Sequence, residues 1–203
     1  LNVSRFIDRQ NLQIDICCKG PKEGTLAPDF RKYGTKVFHC PQNFNIRRFQ
    51  KQLQSLLREG SYDILHVHTQ VHSGPAVHAA KHIGLPTVTT FHSSGHQPET
   101  RFTKLPLVRD LRLLYAKKSI AYALRSSTIC TGVSSDTIRA VTEFTNEKCP
   151  DARVLYLGVP RSTQLSLTEI ATLKNSLQLP AQAKVILHVG SFRPQKNHST
   201  LLK

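Results

Sequence analysis

Residues 62–92 read YDILHVHTQVHSGPAVHAAKHIGLPTVTTFH. Two apolar runs, 62–68 and the β-branched 86–91, bracket a small-residue stretch over 73–83 that closes on Gly84. The outer runs predict strands, and the inner stretch predicts a helix opened by Ser73 and stopped by Gly84. A strand, a crossover helix and a second strand predict neighbouring parallel strands.

The alternation continues in both directions. Upstream, residues 13–19 alternate Ile14, Ile16 and Cys18, and 36–40 form a second short apolar run. Residues 45–59 set Ile46, Phe49, Leu53, Leu56 and Leu57 on one helical face, with Gly60 as the stop. Downstream come a basic amphipathic helix over 103–125, a strand over 127–133, a helix over 134–144 capped by Ser134 or Ser135, and a strand over 153–157. The expected class is α/β, a Rossmann-like parallel sheet with helices on both faces. Past Leu157 the composition shifts to Gly158-Val159-Pro160 and a Ser/Thr-rich connection. A helix near 168–177 and a strand over 184–189 then read as the first βα unit of another domain. The expected domains are residues 1–160, and residues 161–203 as linker plus the start of a second Rossmann-like domain.

The 203 residues hold 28 Lys and Arg against 13 Asp and Glu, a net charge of +15 spread along the chain. Such a surplus points to an anionic partner: nucleic acid, a membrane surface or a phosphorylated ligand. No run approaches the roughly 18 apolar residues that a membrane-spanning helix needs. The opening residues lack a signal-peptide pattern, and a chain without Met reads as an internal piece. Five cysteines, an odd number without C-x-x-C spacing, speak against a disulfide scaffold or zinc ribbon. Buried, reduced thiols in a cytosolic protein are the expectation.

Seven of the ten histidines lie between His66 and His96. His66 and His68 share one face of a strand, and His78 and His82 one face of a helix. Neither pair completes a familiar metal motif, because Ala79 follows His78 and Gln70 stands where H-x-H-x-D-H needs an aspartate. A metal-dependent hydrolase using His66 and His68 stays open. His92 lies just past a strand's carboxyl end, where open α/β sheets bind ligands. An imidazole there can hydrogen-bond a sugar hydroxyl or phosphate, or move a proton; it can equally be a plain loop residue.

Residues 190–197, GSFRPQKN, join a strand end to a helix start. Gly190 permits close backbone approach, while Arg193 and Lys196 suit a diphosphate. No G-x-x-x-x-G-K-[ST], G-x-G-x-x-G, D-x-D or G-x-S-x-G occurs. The helix bearing Arg109, Arg112, Lys117 and Lys118 among leucines fits an anionic membrane surface or a solvated face on a core helix. A basic nucleic-acid-binding α/β domain is a further alternative, resting on charge alone, since aromatic content is 7% and no binding motif occurs.

Five segments in order resemble family 4 glycosyltransferases of the two-Rossmann GT-B architecture. They are 62–68, 84–92, Gly132-Val133-Ser134, 154–160 (VLYLGVP) and 189–197 (VGSFRPQKN). The opening NVSRFIDR is similar to the start of exopolysaccharide- and capsule-type members. The resemblance implies sugar transfer from a nucleotide-diphosphate donor to a saccharide or lipid-linked acceptor, retaining configuration, with no metal and no resident cofactor. His92 matches the family histidine that approaches the donor sugar, and Gly190 and Lys196 match the diphosphate-binding turn. His68 and Thr69 fall in the cleft-facing loop as acceptor candidates. The family's arginine after the glycine is Ser191 here, leaving Arg193 as the nearest cation. The Gly-rich loop would lie upstream and a Glu-x7-Glu pair downstream, so this stretch alone is expected to be inactive. The resemblance implies a cytoplasmic protein with peripheral contact at the inner membrane face, and no nucleic-acid partner.

Overall fold

The computed structural model describes residues 2–42, 45–93, 106–159, 161, 164–192 and 196–202. The chain divides into two compact units, Leu1–Val159 and Pro160–Lys203.

The first unit opens with a short helix, α1 (Asn2–Phe6), that the residue pattern did not announce. Then follow β1 (Ile16–Cys18), α2 (Ala27–Lys32), β2 (Val37–His39), α3 (Ile46–Glu59), β3 (Leu65–Val67) and α4 (Ser73–Lys81). The unit continues with β4 (Thr87–Phe91), α5 (Pro106–Ser126), β5 (Ile129–Gly132), α6 (Ser135–Thr145) and β6 (Ala152–Val154). All pairings are parallel: β1 with β2, and β3-β4-β5-β6 as a four-stranded sheet.

Each crossover in the larger sheet steps one strand in the same direction. Right-handed connection therefore sets α4, α5 and α6 on one face. Side-chain alternation agrees, since Val67, Thr89 and Cys130 stand in register and Phe91 shares their face. Val67 packs with Phe49, Leu53 and Leu57 of α3 and with Val77, Ala79 and Ala80 of α4. Phe91 and Cys130 pack with Ile120 and Leu124 of α5 and Val141 of α6. The opposite face carries His66, Thr90 and Thr131, and these build the site.

Local chemistry explains the element ends. Asn45 caps α3 by accepting from the Arg48 N–H at 3.0 Å. Ser134, not Ser135, caps α6 by accepting from Thr137 N–H at 3.1 Å. Ser73 does not cap α4. A 3₁₀ turn over Gln70–His72 runs into that helix, so Ser73 lies inside it, wholly buried, its hydroxyl donating to the Gln70 carbonyl at 2.6 Å. Gly60 follows α3 as expected, yet it keeps φ −83° while Ser61 takes the left-handed φ of 47°. Its hydrogen is needed because a Cβ there would stand 2.1 Å from the Tyr62 ring. Gly74 plays a similar part between α4 and α5, where a Cβ would come within 2.7 Å of the Ser119 carbonyl.

Helix α5 changes character along its length. Its carboxyl half buries Ala116, Ile120, Ala123 and Leu124, whereas Leu107, Leu111 and Leu114 of the amino half are exposed. The part of the expected helix over 103–105 lies outside the described residues. The five cysteines carry free thiols, and Cys40, Cys130 and Cys149 are buried.

In the second unit, α7 (Leu167–Ser176) opens with a capping box between Ser166 and Glu169, and α8 (His198–Leu201) is a single turn. The expected strand over 184–189 is not formed. Val185, Ile186, Leu187 and Val189 are all exposed, and no described strand lies beside them to supply ladder hydrogen bonds. A strand is defined by its neighbour, so an apolar run without one stays irregular.

Candidate functional site

Parallel strands that end together bring their following residues into one row. His68 follows β3 and His92 follows the adjacent β4, and the two imidazoles meet, Nδ1 of His68 lying 2.8 Å from Nε2 of His92. One ring's N–H donates to the bare nitrogen of the other. His66, two residues before His68 on the same face, lies against it with ring centroids 4.1 Å apart and the planes tilted by 38°. Nε2 of His66 is itself engaged with the Thr90 hydroxyl at 2.6 Å, and Thr90 with the Thr131 hydroxyl at 2.6 Å. A hydrogen-bonded row thus crosses β3, β4 and β5 beneath the two histidines. Thr90 and Thr131 are buried, at 1% and 6% exposure, which holds the row rigid under an open rim.

Gln70 completes the rim from the 3₁₀ turn. It takes a left-handed φ of 41° and donates from Nε2 to the Ser93 carbonyl at 2.7 Å, tying the loop after β3 to the loop after β4. Thr69 beside it holds a buried hydroxyl oxygen with no hydrogen-bond partner among the described residues.

Crowding sets the protonation of this cluster. Loss of water pushes His68 down to about 4, helped by the charges that His66 and His92 would carry. Desolvation, seconded by His92, lowers His66 too. His72, at the end of the 3₁₀ turn, is held at about 4 by burial and by the charge of Lys19. The unfolded chain takes up these protons near the ordinary histidine value of about 6.5. The native state binds those of His68 and His72 only near 4 and holds His66 below its ordinary value, so stability is complete above about 6.5 and falls as the pH drops toward 4. Thermal melts at pH 7 and pH 5 are expected to give the lower midpoint at pH 5; equal midpoints would contradict the neutral cluster.

Among the described residues no three His, Cys, Asp or Glu side chains are placed to hold a metal ion. The Nε2 that His66 would offer a metal is occupied by Thr90. His78 on α4 and His82 just past its end stand exposed, with near-parallel rings 6.3 Å apart.

The expected diphosphate turn lies in the second unit. Gly190 and Lys196 are close: a Cβ on Gly190 would stand 3.3 Å from Lys196 Cγ. A ring nitrogen of His198 closes the turn on the Ser191 carbonyl at 3.0 Å, and Asn197 adopts a left-handed φ of 48°. Arg193 lies outside the described residues.

Of the residues expected at the site, His68 and His92 are joined directly, and Thr69 sits beside them in the chain. Thr90, Thr131 and Gln70 escaped the sequence reading. Thr90 and Thr131 are ordinary strand residues, and only the parallel register opposes them; alternation from His92 back to Thr90 was the one available signal.

The sequence model described as Glycosyltransferase Family 4 matches residues 1–162. No curated protein sequence matches the chain. Among solved structures, a glycosyltransferase from Rickettsia africae ESF-5 aligns with TM-score 0.67 at 16% identity, covering 89% of this chain and 45% of that one. Anabaena Alr3699/HepE in complex with UDP-glucose aligns with TM-score 0.53 at 16% identity, covering 82% and 50%. The same protein in complex with UDP gives 0.54 at 14% identity over the same shares. At such identities the likeness is one of fold, and the chain spans about half the length of these proteins.

Proposed function

Because the chain belongs to glycosyltransferase family 4, we propose that the protein carrying it moves a sugar from a nucleotide-diphosphate donor to a saccharide or lipid-linked acceptor. Transfer retains the anomeric configuration and uses neither a metal ion nor a resident cofactor. Residues 1–160 form the acceptor-side domain, and 161–203 begin the donor-binding domain. The supporting observation is the His68–His92 pair on the carboxyl rim of a parallel sheet, over a buried polar row. Ligands of open α/β sheets bind at that rim.

In the reaction the bond from anomeric carbon to donor phosphate breaks, and the diphosphate leaves with the electron pair. A bond to an acceptor oxygen forms on the same face of the sugar, and the proton of that hydroxyl passes to the departing diphosphate. Charge growing on the diphosphate is offset by Lys196 and backbone N–H groups of the Gly190 turn, with Arg193 as a further cation. His92, fixed by His68, presents its remaining ring nitrogen to a donor-sugar hydroxyl, and Thr69 contributes an acceptor contact.

The first donors to test are uridine diphosphate sugars, since Alr3699/HepE is known with UDP and UDP-glucose. Release of UDP with formation of an α-glycoside from UDP-glucose, undiminished by EDTA, is the expected result. A β-glycoside, or loss of activity on chelation, would refute retention or metal independence. Substituting Lys196→Ala is expected to weaken UDP binding by roughly tenfold, the loss of one charge-assisted contact. Calorimetry giving an unchanged Kd would remove Lys196 from the phosphate site.

The same proposal makes the protein cytoplasmic, with peripheral contact at the inner membrane face. Support comes from the exposed Leu107, Leu111 and Leu114 beside Arg112, Lys117 and Lys118 on α5, a pairing of apolar and cationic groups suited to anionic lipid. No helix among the described residues is long and apolar enough to cross a membrane.

A further inference from the structure

A second polar cluster lies at the carboxyl ends of β1, β2 and β3, built from residues that the proposed chemistry leaves unused. Lys19 directly follows β1, Gln42 follows β2, His72 ends the 3₁₀ turn after β3, and Tyr115 reaches in from α5. All four are half-buried. The Gln42 backbone N–H donates to the Lys19 carbonyl at 2.9 Å, and Gln42 Nε2 donates to Tyr115 Oη at 3.2 Å. Nδ1 of His72 lies 3.5 Å from the same Oη, with the two rings 5.8 Å apart.

Two features of this cluster are unsatisfied. Lys19 makes no ion pair among the described residues, although burial already lowers its affinity for a proton. The carboxylates closest to it in sequence are taken: Asp15 accepts from Tyr62 Oη and the Lys36 N–H, and Glu23 is paired with Arg31. Lys19 also presses on His72, which stays neutral beside it. The second feature is Gln42 Oε1, buried with no hydrogen-bond partner. A half-buried cation without an anion, next to a buried acceptor without a donor, describes a site short of one ligand.

We propose that Lys19, Gln42, His72 and Tyr115 form a subsite for an acidic saccharide. Its phosphate or carboxylate lies against Lys19, and an adjacent hydroxyl donates to Gln42 Oε1. Neutral His72 offers an N–H, and Tyr115 Oη, held by Gln42, orients the pair. The ligand supplies both missing partners at once, the anion and the hydroxyl; a neutral sugar lacks the anion, and inorganic phosphate offers only its own P–OH, too short to reach both groups as a sugar ring does. Assigning this ligand as the acceptor of transfer rests on the proposed reaction; the binding itself does not.

The test is a titration of the protein, followed by NMR at the Lys19 Cε, His72 ring and Tyr115 ring signals. The probes are glucose 1-phosphate, glucuronate, inorganic phosphate and glucose. Saturable shifts at all three groups are expected with one or both acidic sugars, weaker ones with phosphate and none with glucose. Response to glucose 1-phosphate alone assigns a phosphorylated ligand, and response to glucuronate alone a uronic acid. Lys19→Gln is expected to cut the affinity about tenfold or more. Gln42→Glu, which neutralises Lys19 from within, is expected to do the same in a folded protein. Silence of the three groups toward both acidic sugars, or affinity within twofold of the parent in Lys19→Gln, overturns the subsite. Sugar transfer is read separately by UDP release. Binding without transfer would sink the transferase proposal and leave the subsite standing, whereas transfer without binding here would do the reverse.

Discussion

His92→Ala is expected to lower the turnover of sugar transfer by about a hundredfold or more while the protein stays folded. The side chain is exposed beyond the end of β4, so its removal opens no cavity in the core. What is lost is one partner of the 2.8 Å contact with His68 and the ring nitrogen that contact leaves free. His68 is held neutral, so it can share a proton with His92 without setting two charged rings side by side. The measurement is kcat with UDP-glucose in the intact enzyme that carries this chain, alongside a thermal melt. Near-normal turnover in a variant with an unshifted midpoint would remove His92 from the mechanism.

Phe91→Ala is expected to act the opposite way, through stability. One residue before His92, Phe91 is 1% exposed, and it packs with Ile120, Leu124, Cys130 and Val141 from α5, β5 and α6. Truncating a buried phenylalanine costs about 3–5 kcal/mol, since the cavity closes only partly. For a chain of this size that corresponds to a fall in Tm of roughly 10 °C. A change under about 1 kcal/mol by chemical denaturation would show that the α5–α6 layer is not the core of this unit. The two substitutions separate by a single step of strand alternation, one side chain facing the helices and the next standing on the rim.

Much of the fold was readable because it rests on periodicity. The alternation of apolar runs with amphipathic stretches specified every strand of the first unit and helices α3 to α6 to within a few residues. Ser134 was legible as one of two caps because side-chain capping is local. Ser73 misled for the same local reason: nothing nearby in sequence announces that Gln70 takes a left-handed φ and extends the helix backwards. The run over 184–189 misled in another way. Its composition is that of a strand, but pairing is a property of two segments, and the described residues contain no partner for it.

The candidate site divides along the same line. Sequence alone determined that the chain is α/β, that His92 lies just past a strand, that Gly190 and Lys196 share one turn, and that its ordered segments resemble family 4 glycosyltransferases. The first three follow from spacing along the chain, and the last from the likeness of its segments to known motifs. Tertiary structure alone decided that His68 meets His92, that Thr90 and Thr131 continue the row under His66, and that Lys19, Gln42, His72 and Tyr115 converge. Those contacts join residues 23 to 73 positions apart, such as Lys19 to Gln42 and Gln42 to Tyr115. Only the parallel register, which aligns the carboxyl ends of strands distant in sequence, can bring them together.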